Sequence, residues 1–171
     1  TITATSMFAN CYSLENASSV SGLSFSNCQG FFNNCYRLMR APLFTTTSVT
    51  TMLSMFAGCS SLISVPLYDT SSVTSMNGMF SGCYSLESVP LFNTIKVTDM
   101  TSMFQNCYSL QTVPLFNTSN VTLTVSMFNA CETLQTIPNF NLPVVTNISS
   151  MFATCYNVKT INITTGSSLA N

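Results

Sequence analysis

Histidine and tryptophan are absent from the 171 residues, and charge is scarce: charged residues make up 5%, with 4 Lys+Arg against 5 Asp+Glu. Without histidine, no side chain has an ordinary pKa between pH 5 and 8. A net charge of -1 leaves no basic stripe to neutralise phosphates, which excludes the usual footprint of a nucleic-acid binder. Disordered segments combine low hydrophobicity with high charge, the reverse of a chain that is 46% hydrophobic. Apolar runs are short because Ser, Thr and Asn interrupt them, so no window reaches the ~18 residues of a membrane span. Only 6 glycines occur and none cluster, which removes the phosphate-cradling loop. A basic-then-apolar leader is also missing. The sequence opens on Thr1-Ile2-Thr3, and any targeting segment is expected to lie outside it.

What the chain has is repetition. Cysteines fall at Cys11, Cys35, Cys59, Cys83, Cys107, Cys131 and Cys155, each 24 residues after the last. A phenylalanine stands three residues before every one: Phe8, Phe32, Phe56, Phe80, Phe104, Phe128 and Phe152. Three residues after come Leu14, Leu38, Leu62, Leu86, Leu110, Leu134 and Val158. Prolines recur at Pro42, Pro66, Pro90, Pro114 and Pro138, followed by Leu43, Leu67, Leu91 and Leu115. Valines recur at Val49, Val73, Val97, Val121 and Val145, with Met52, Met76 and Met100 three places on. Seven units account for the chain, which reads as a single repeat domain over 1–171.

A unit this short cannot bury its apolar face alone, so neighbours are expected to stack into a solenoid with a continuous core. Leu86-x-x-Val89-x-Leu91 and Leu110-x-x-Val113-x-Leu115 carry the Leu-x-x-Leu-x-Leu skeleton of a leucine-rich repeat. The expected fold is a repeat solenoid of that type. It would have a ladder of short parallel strands, short helical or 3-10 turns over segments such as 102–107, and seven coils spanning roughly 35 Å. Proline lacks the N–H that a parallel ladder uses, so the proline column argues against one long strand there. Either the strand there is very short or Val97-Thr98-Asp99-Met100 is the better paired, and two short strands per coil are expected. Leu123 stands one place before the methionine slot, and Leu142-Pro143 enters the sixth unit, so bulges are expected at both.

The run Met79-Phe80-Ser81-Gly82-Cys83-Tyr84-Ser85-Leu86-Glu87-Ser88-Val89-Pro90-Leu91-Phe92, then Val97-Thr98-Asp99-Met100, resembles the BspA-like class of leucine-rich repeat surface proteins. The resemblance covers essentially the whole chain. It implies display on a bacterial, protist or viral surface and a role in adhesion, and hence an extracellular, cell-surface or virion location. The low charge and Ser/Thr/Asn-rich turns are more similar to versions carried by phage fibres.

Seven cysteines share one slot, with side-chain vectors parallel rather than facing, so buried free thiols are expected in place of a disulfide framework. The eighth, Cys28, takes the methionine slot as a small hydrophobe. A single file of thiols supplies no tetrahedral metal cage. Glu15, Asp69, Glu87, Asp99 and Glu132 do not converge: Glu15 and Glu87 share a slot three coils apart, roughly 14 Å, too far for a carboxylate pair. No catalytic residue, cofactor or metal is expected, and the chain reads as a non-enzyme.

Function then falls to the surface. Counting Val and Leu as inward assigns the prolines and Phe44, Tyr68, Phe92, Phe116 and Phe140 to the outer face, as an exposed apolar stripe across five coils. The alternative is that these rings fold back into a ladder of their own. A second aromatic column runs through Tyr12, Tyr36, Tyr84, Tyr108 and Tyr156, and suits glycan or protein contacts or packing at the core edge. Thr50, Thr74, Thr98, Thr122 and Thr146 form a hydroxyl column resembling, incompletely, that of ice-binding solenoids. Two readings follow. One is a displayed module binding a host protein or glycan through the aromatic columns with Arg37, Arg40 and Glu87. The other is a structural subunit of a fibre or virion appendage built from copies of itself. Thr1 falls part-way through a unit and Leu169-Ala170-Asn171 takes up the valine-threonine register, so no polar cap is seen. Further repeats or other subunits are expected beyond both ends.

Overall fold

The computed structural model describes residues 1–20 and 22–166, so the register of Leu169-Ala170-Asn171 lies outside the described residues. Units of 24 residues stack in parallel, with very little regular secondary structure. The named elements are β1 (Ile2–Thr3), a 3-10 turn (Ser18–Val20), β2 (Phe25–Asn27), β3 (Phe140–Leu142) and β4 (Ile163–Thr165). Strand β1 pairs with β2 and β3 with β4, both parallel. Among the described residues no helix is long and apolar enough to cross a membrane.

The segment expected to be a helical turn is something else. Met52, Ser54, Phe56 and Gly58 donate their N–H groups to Ser75, Asn77, Met79 and Ser81 of the next unit, at 2.7–3.1 Å. The residues between them turn inward: Met55 donates to Met52, Ala57 to Ser54 and Cys59 to Phe56. Alternate amides therefore serve the segment and its neighbour, a pattern no α- or 3-10 helix allows. Its cause is a left-handed residue at two places per unit. One column is Ser6, Gly30, Ser54, Gly78, Ser102, Ser126 and Ser150, and the other is Asn10, Asn34, Gly58, Gly82, Asn106, Ala130 and Thr154. A residue at positive φ cannot continue a right-handed helix.

Immediately before Met52 the chain pairs again. Single parallel bridges run Thr51 to Ser75, Ser75 to Asp99, Asp99 to Leu123 and Leu123 to Asn147, so the Val-Thr-x-Met stretch carries the longest ladder. The bulge expected at Leu123 is absent. That unit keeps its register, and buried Thr124 takes the methionine place, its hydroxyl donating to the Asn147 carbonyl at 3.3 Å. Register shifts occur elsewhere. One lies between Ile2 and Thr3, a second at Ser24, which pairs with Thr45, and a third precedes β3, where Thr136 pairs with Thr160 but Phe140 with Ile163.

Stacked columns make the core. Rings from Phe8 to Phe152 lie 5.4–5.8 Å apart and within 9° of parallel. Phe8 and Phe152 at the ends are half-buried, and full burial of each ring from Phe32 to Phe128 contributes about 1.5–3 kcal/mol, with about 0.5–1.5 more from ring stacking. The cysteines are free thiols, Cys11 exposed, Cys155 half-buried and the rest buried. From Cys35 on, each thiol in the column donates to the phenylalanine carbonyl of the preceding unit at 3.0–3.2 Å, as Cys83 does to Phe56. Burial pushes the Cys35 thiol up to about 11 and Cys28 to about 12, and drives Cys59, Cys83, Cys107 and Cys131 in the same direction.

The inward and outward assignment of the proline segment is reversed by one residue. Phe44, Tyr68, Phe92, Phe116 and Phe140 are buried, while Leu43, Leu67, Leu91 and Leu115 are 59–63% exposed. Val113 and Phe116 both point inward although three residues apart. Phe116 donates its N–H to the Pro114 carbonyl and Phe140 to that of Pro138, at 3.0 and 2.8 Å. These are tight three-residue turns centred on Leu115 and Asn139. The turn breaks the two-residue alternation, and a slip of one residue sends each following side chain to the opposite face.

Candidate binding surface

Five residues expected to form an outer stripe are therefore core. Phe92 stacks on Phe116 at 6.4 Å, and Phe116 on Phe140 at 6.5 Å. Each also packs on the other ring column, as Phe104 on Phe116 at 6.3 Å. Tyr68 keeps the same place by donating its hydroxyl to the Pro42 carbonyl at 2.7 Å. Burial raises its pKa well above that of a free phenol.

The apolar face that does reach solvent is the leucine column, flanked by the half-buried prolines Pro66, Pro90 and Pro114. Shallow grooves open between its rungs. One of about 340 Å³ is lined by Leu67, Tyr68, Asp69, Thr70, Leu91 and Asn93. Buried threonines tie neighbouring units beneath it: Thr70 donates to the Asn93 carbonyl at 2.9 Å, Thr94 to Asn117 at 2.8 Å, and Thr118 to Asn141. Thr46 occupies the same place with no partner for its hydroxyl. The sequence reading missed this column, although its spacing is as regular as that of the valines.

The exposed tyrosines lie in a column of their own. Tyr84 stacks on Tyr108 at 4.9 Å and Tyr12 on Tyr36 at 5.0 Å. Arg37 is paired with Glu15 at 2.9 Å, an exposed ion pair of little energetic weight. Arg40 lines a cavity with Glu15, Met39 and Pro42. Glu87 is exposed two units further along, so the structure does not gather it with the two arginines.

The remaining polar columns are committed to the fold. Thr74, Thr98 and Thr122 each donate both N–H and hydroxyl to the threonine carbonyl of the preceding unit, so their hydroxyls do not stand free as an array. Asp69 and Asp99 cap turns by accepting from the N–H of Ser71 and Thr101 at 3.0 and 2.9 Å. The Ser71 hydroxyl and N–H together hold the Asp69 carboxyl below its ordinary value. Among the described residues, no three Cys, Asp or Glu side chains converge as a metal site would need.

A family model described as "Mycoplasma protein of unknown function, DUF285" matches residues 26–136 and, in a second overlapping placement, 50–165. No curated protein and no solved structure matches the chain.

Proposed function

The chain belongs to the DUF285 family, and on that premise we propose a non-enzymatic recognition module, a leucine-rich-repeat solenoid of BspA-like type displayed outside a cell or on a virion. Its partner is a protein surface. What carries this reading is the leucine column: four large apolar side chains, each about three-fifths exposed, in successive units of a surface with few charges. Contiguous exposed apolar residues of this kind mark interaction sites on soluble proteins. The stack beneath supplies rigidity, because core rings and backbone ladders hold the rungs at fixed spacing and little order is lost on binding. The ligand is a host protein rather than a glycan, since the leucines offer no hydrogen bonds to sugar hydroxyls.

A second reading, a structural subunit of a fibre or virion appendage, draws on the same column as a contact between copies. Replacing Leu67 and Leu91 by Asp separates the two. Light scattering at two concentrations and adhesion to host cells are measured on the wild type and the variant. Adhesion lost at unchanged monomer mass supports recognition. A wild-type oligomer that dissociates in the variant supports assembly. No change in either measurement overturns both.

A further inference from the structure

The tyrosine column is broken twice, by Ser60 and by the charged Glu132, and at Ser60 it leaves an uncharged missing rung. Tyr36 and Tyr84 flank Ser60, where five other units carry tyrosine. Tyr36 is stacked on Tyr12 and Tyr84 on Tyr108, so each pair has one ring face left towards Ser60. Two steps of ~4.8 Å set Tyr36 and Tyr84 about 10 Å apart. Between them lies a cavity of about 410 Å³ lined by Asn34, Tyr36, Gly58, Ser60, Gly82 and Tyr84. Its floor is Gly58 and Gly82 with the Asn34 carboxamide laid against the first: Gly58 has φ 76°, and a Cβ there would collide with Asn34 Oδ1.

We propose that this gap is a binding site for one uncharged aromatic side chain of a partner protein, inserted as the missing rung between Tyr36 and Tyr84. The occupant follows from the column itself. Where successive units both carry tyrosine, what covers each phenol face is a second aromatic ring 4.9–5.0 Å away, and the gap is one rung deep. No charged residue lines it, so an ionic ligand gains nothing there. Two of the polar donors a sugar ring would meet on the floor are already used: the Ser60 hydroxyl is donated to the Tyr36 carbonyl at 3.3 Å, and the Asn34 amide to Asn10 Oδ1 at 2.9 Å.

The absence of tryptophan supplies the test, because the fluorescence of added N-acetyl-L-tryptophanamide can be excited apart from the protein. With the wild-type chain its emission shifts to the blue and its anisotropy rises. Ser60→Tyr fills the gap and abolishes both changes; Ser60→Ala retains them. Should Ser60→Tyr fail to fold, Tyr36→Ser, at an exposed ring, is expected to give the same loss. Methyl β-glucoside in excess leaves the signal unchanged. An absent shift in the wild type, an equal shift in Ser60→Tyr or Tyr36→Ser, or displacement by the glucoside overturns the proposal. The inference rests on the recognition reading only in naming a protein as partner. Leu67→Asp with Leu91→Asp leaves this signal intact, so the failure of one reading is seen apart from the failure of the other.

Discussion

The two sides of a unit are held together in different ways. Over 98–107, backbone amides reach the neighbouring units at every other residue, from Met100 to Leu123 through Asn106 to Asn129. Over 112–120, no backbone N–H among the described residues reaches a neighbouring unit. There the links are side chains: the Thr118 hydroxyl on the Asn141 carbonyl, the Asn120 amide on that of Ile95, and the ring stack of Phe116. Proline explains the division over 112–120, since it brings no N–H, whereas in the sixth unit the residues after Pro138 do pair, as β3 with β4. The backbone-laddered side fixes the spacing, and the proline side, relieved of that task, is where large apolar side chains stand in solvent.

Substitutions on the two sides test this contrast most strongly. Phe104, packed against Phe80, Phe128 and Phe116, is expected to cost about 3–5 kcal/mol when replaced by Ala. Leu91→Ala, exposed on the proline side, should stay within about 0.5 kcal/mol. Urea unfolding of both variants measures the difference, and similar costs would erase the distinction.

Alkali should act through the thiols beside the laddered side. An unfolded cysteine titrates near 9.0, whereas burial raises Cys35 to about 11 and Cys28 to about 12. The unfolded chain therefore loses these protons first as pH rises. Stability is fully present below pH 9 and falls as pH climbs through the folded values. Urea midpoints followed from neutral pH to pH 11 read this directly; midpoints unchanged above pH 9 would mean the thiols are not shielded as described.

The smallest effect separates two members of one column. Thr94→Val removes a hydroxyl that bridges two units and should cost about 1 kcal/mol, leaving the Asn117 carbonyl without its donor. Thr46→Val removes a buried hydroxyl with no partner and should cost nothing or stabilise slightly. Thermal midpoints of the pair check it, and equal losses would show that the hydroxyl bond is not what matters on the proline side.

Much of the fold was legible because it is periodic. Cysteine, phenylalanine, leucine and valine columns named the repeat, the core and the better-paired stretch without any structure. The proline segment was misread because a two-residue alternation was counted through it, and a tight turn changes that count. Phe92 and Leu91 exchanged places in consequence, and with them the surface. The turn segment was misread for another reason. Apolar spacing of three and four suits a helix, but Ser102 and Asn106 stand at positive φ. The signal was a pair of columns rich in Ser, Gly and Asn four residues apart, residues too small and polar to draw notice beside phenylalanine. The tyrosine gap was visible as a missing letter at Ser60; only stacked neighbours give it depth.

Because each unit enters and leaves with the same geometry, the number of copies is itself a variable. Excision of 24 residues, 49–72, would join Ser48 to Val73, keep every column in phase, and bring Tyr36 and Tyr84 into adjacent units as an ordinary stacked pair. Duplication of the same stretch would open a gap two rungs deep. A slip in copying number could thus create, widen or erase a ligand slot while the core continues unchanged through the joint.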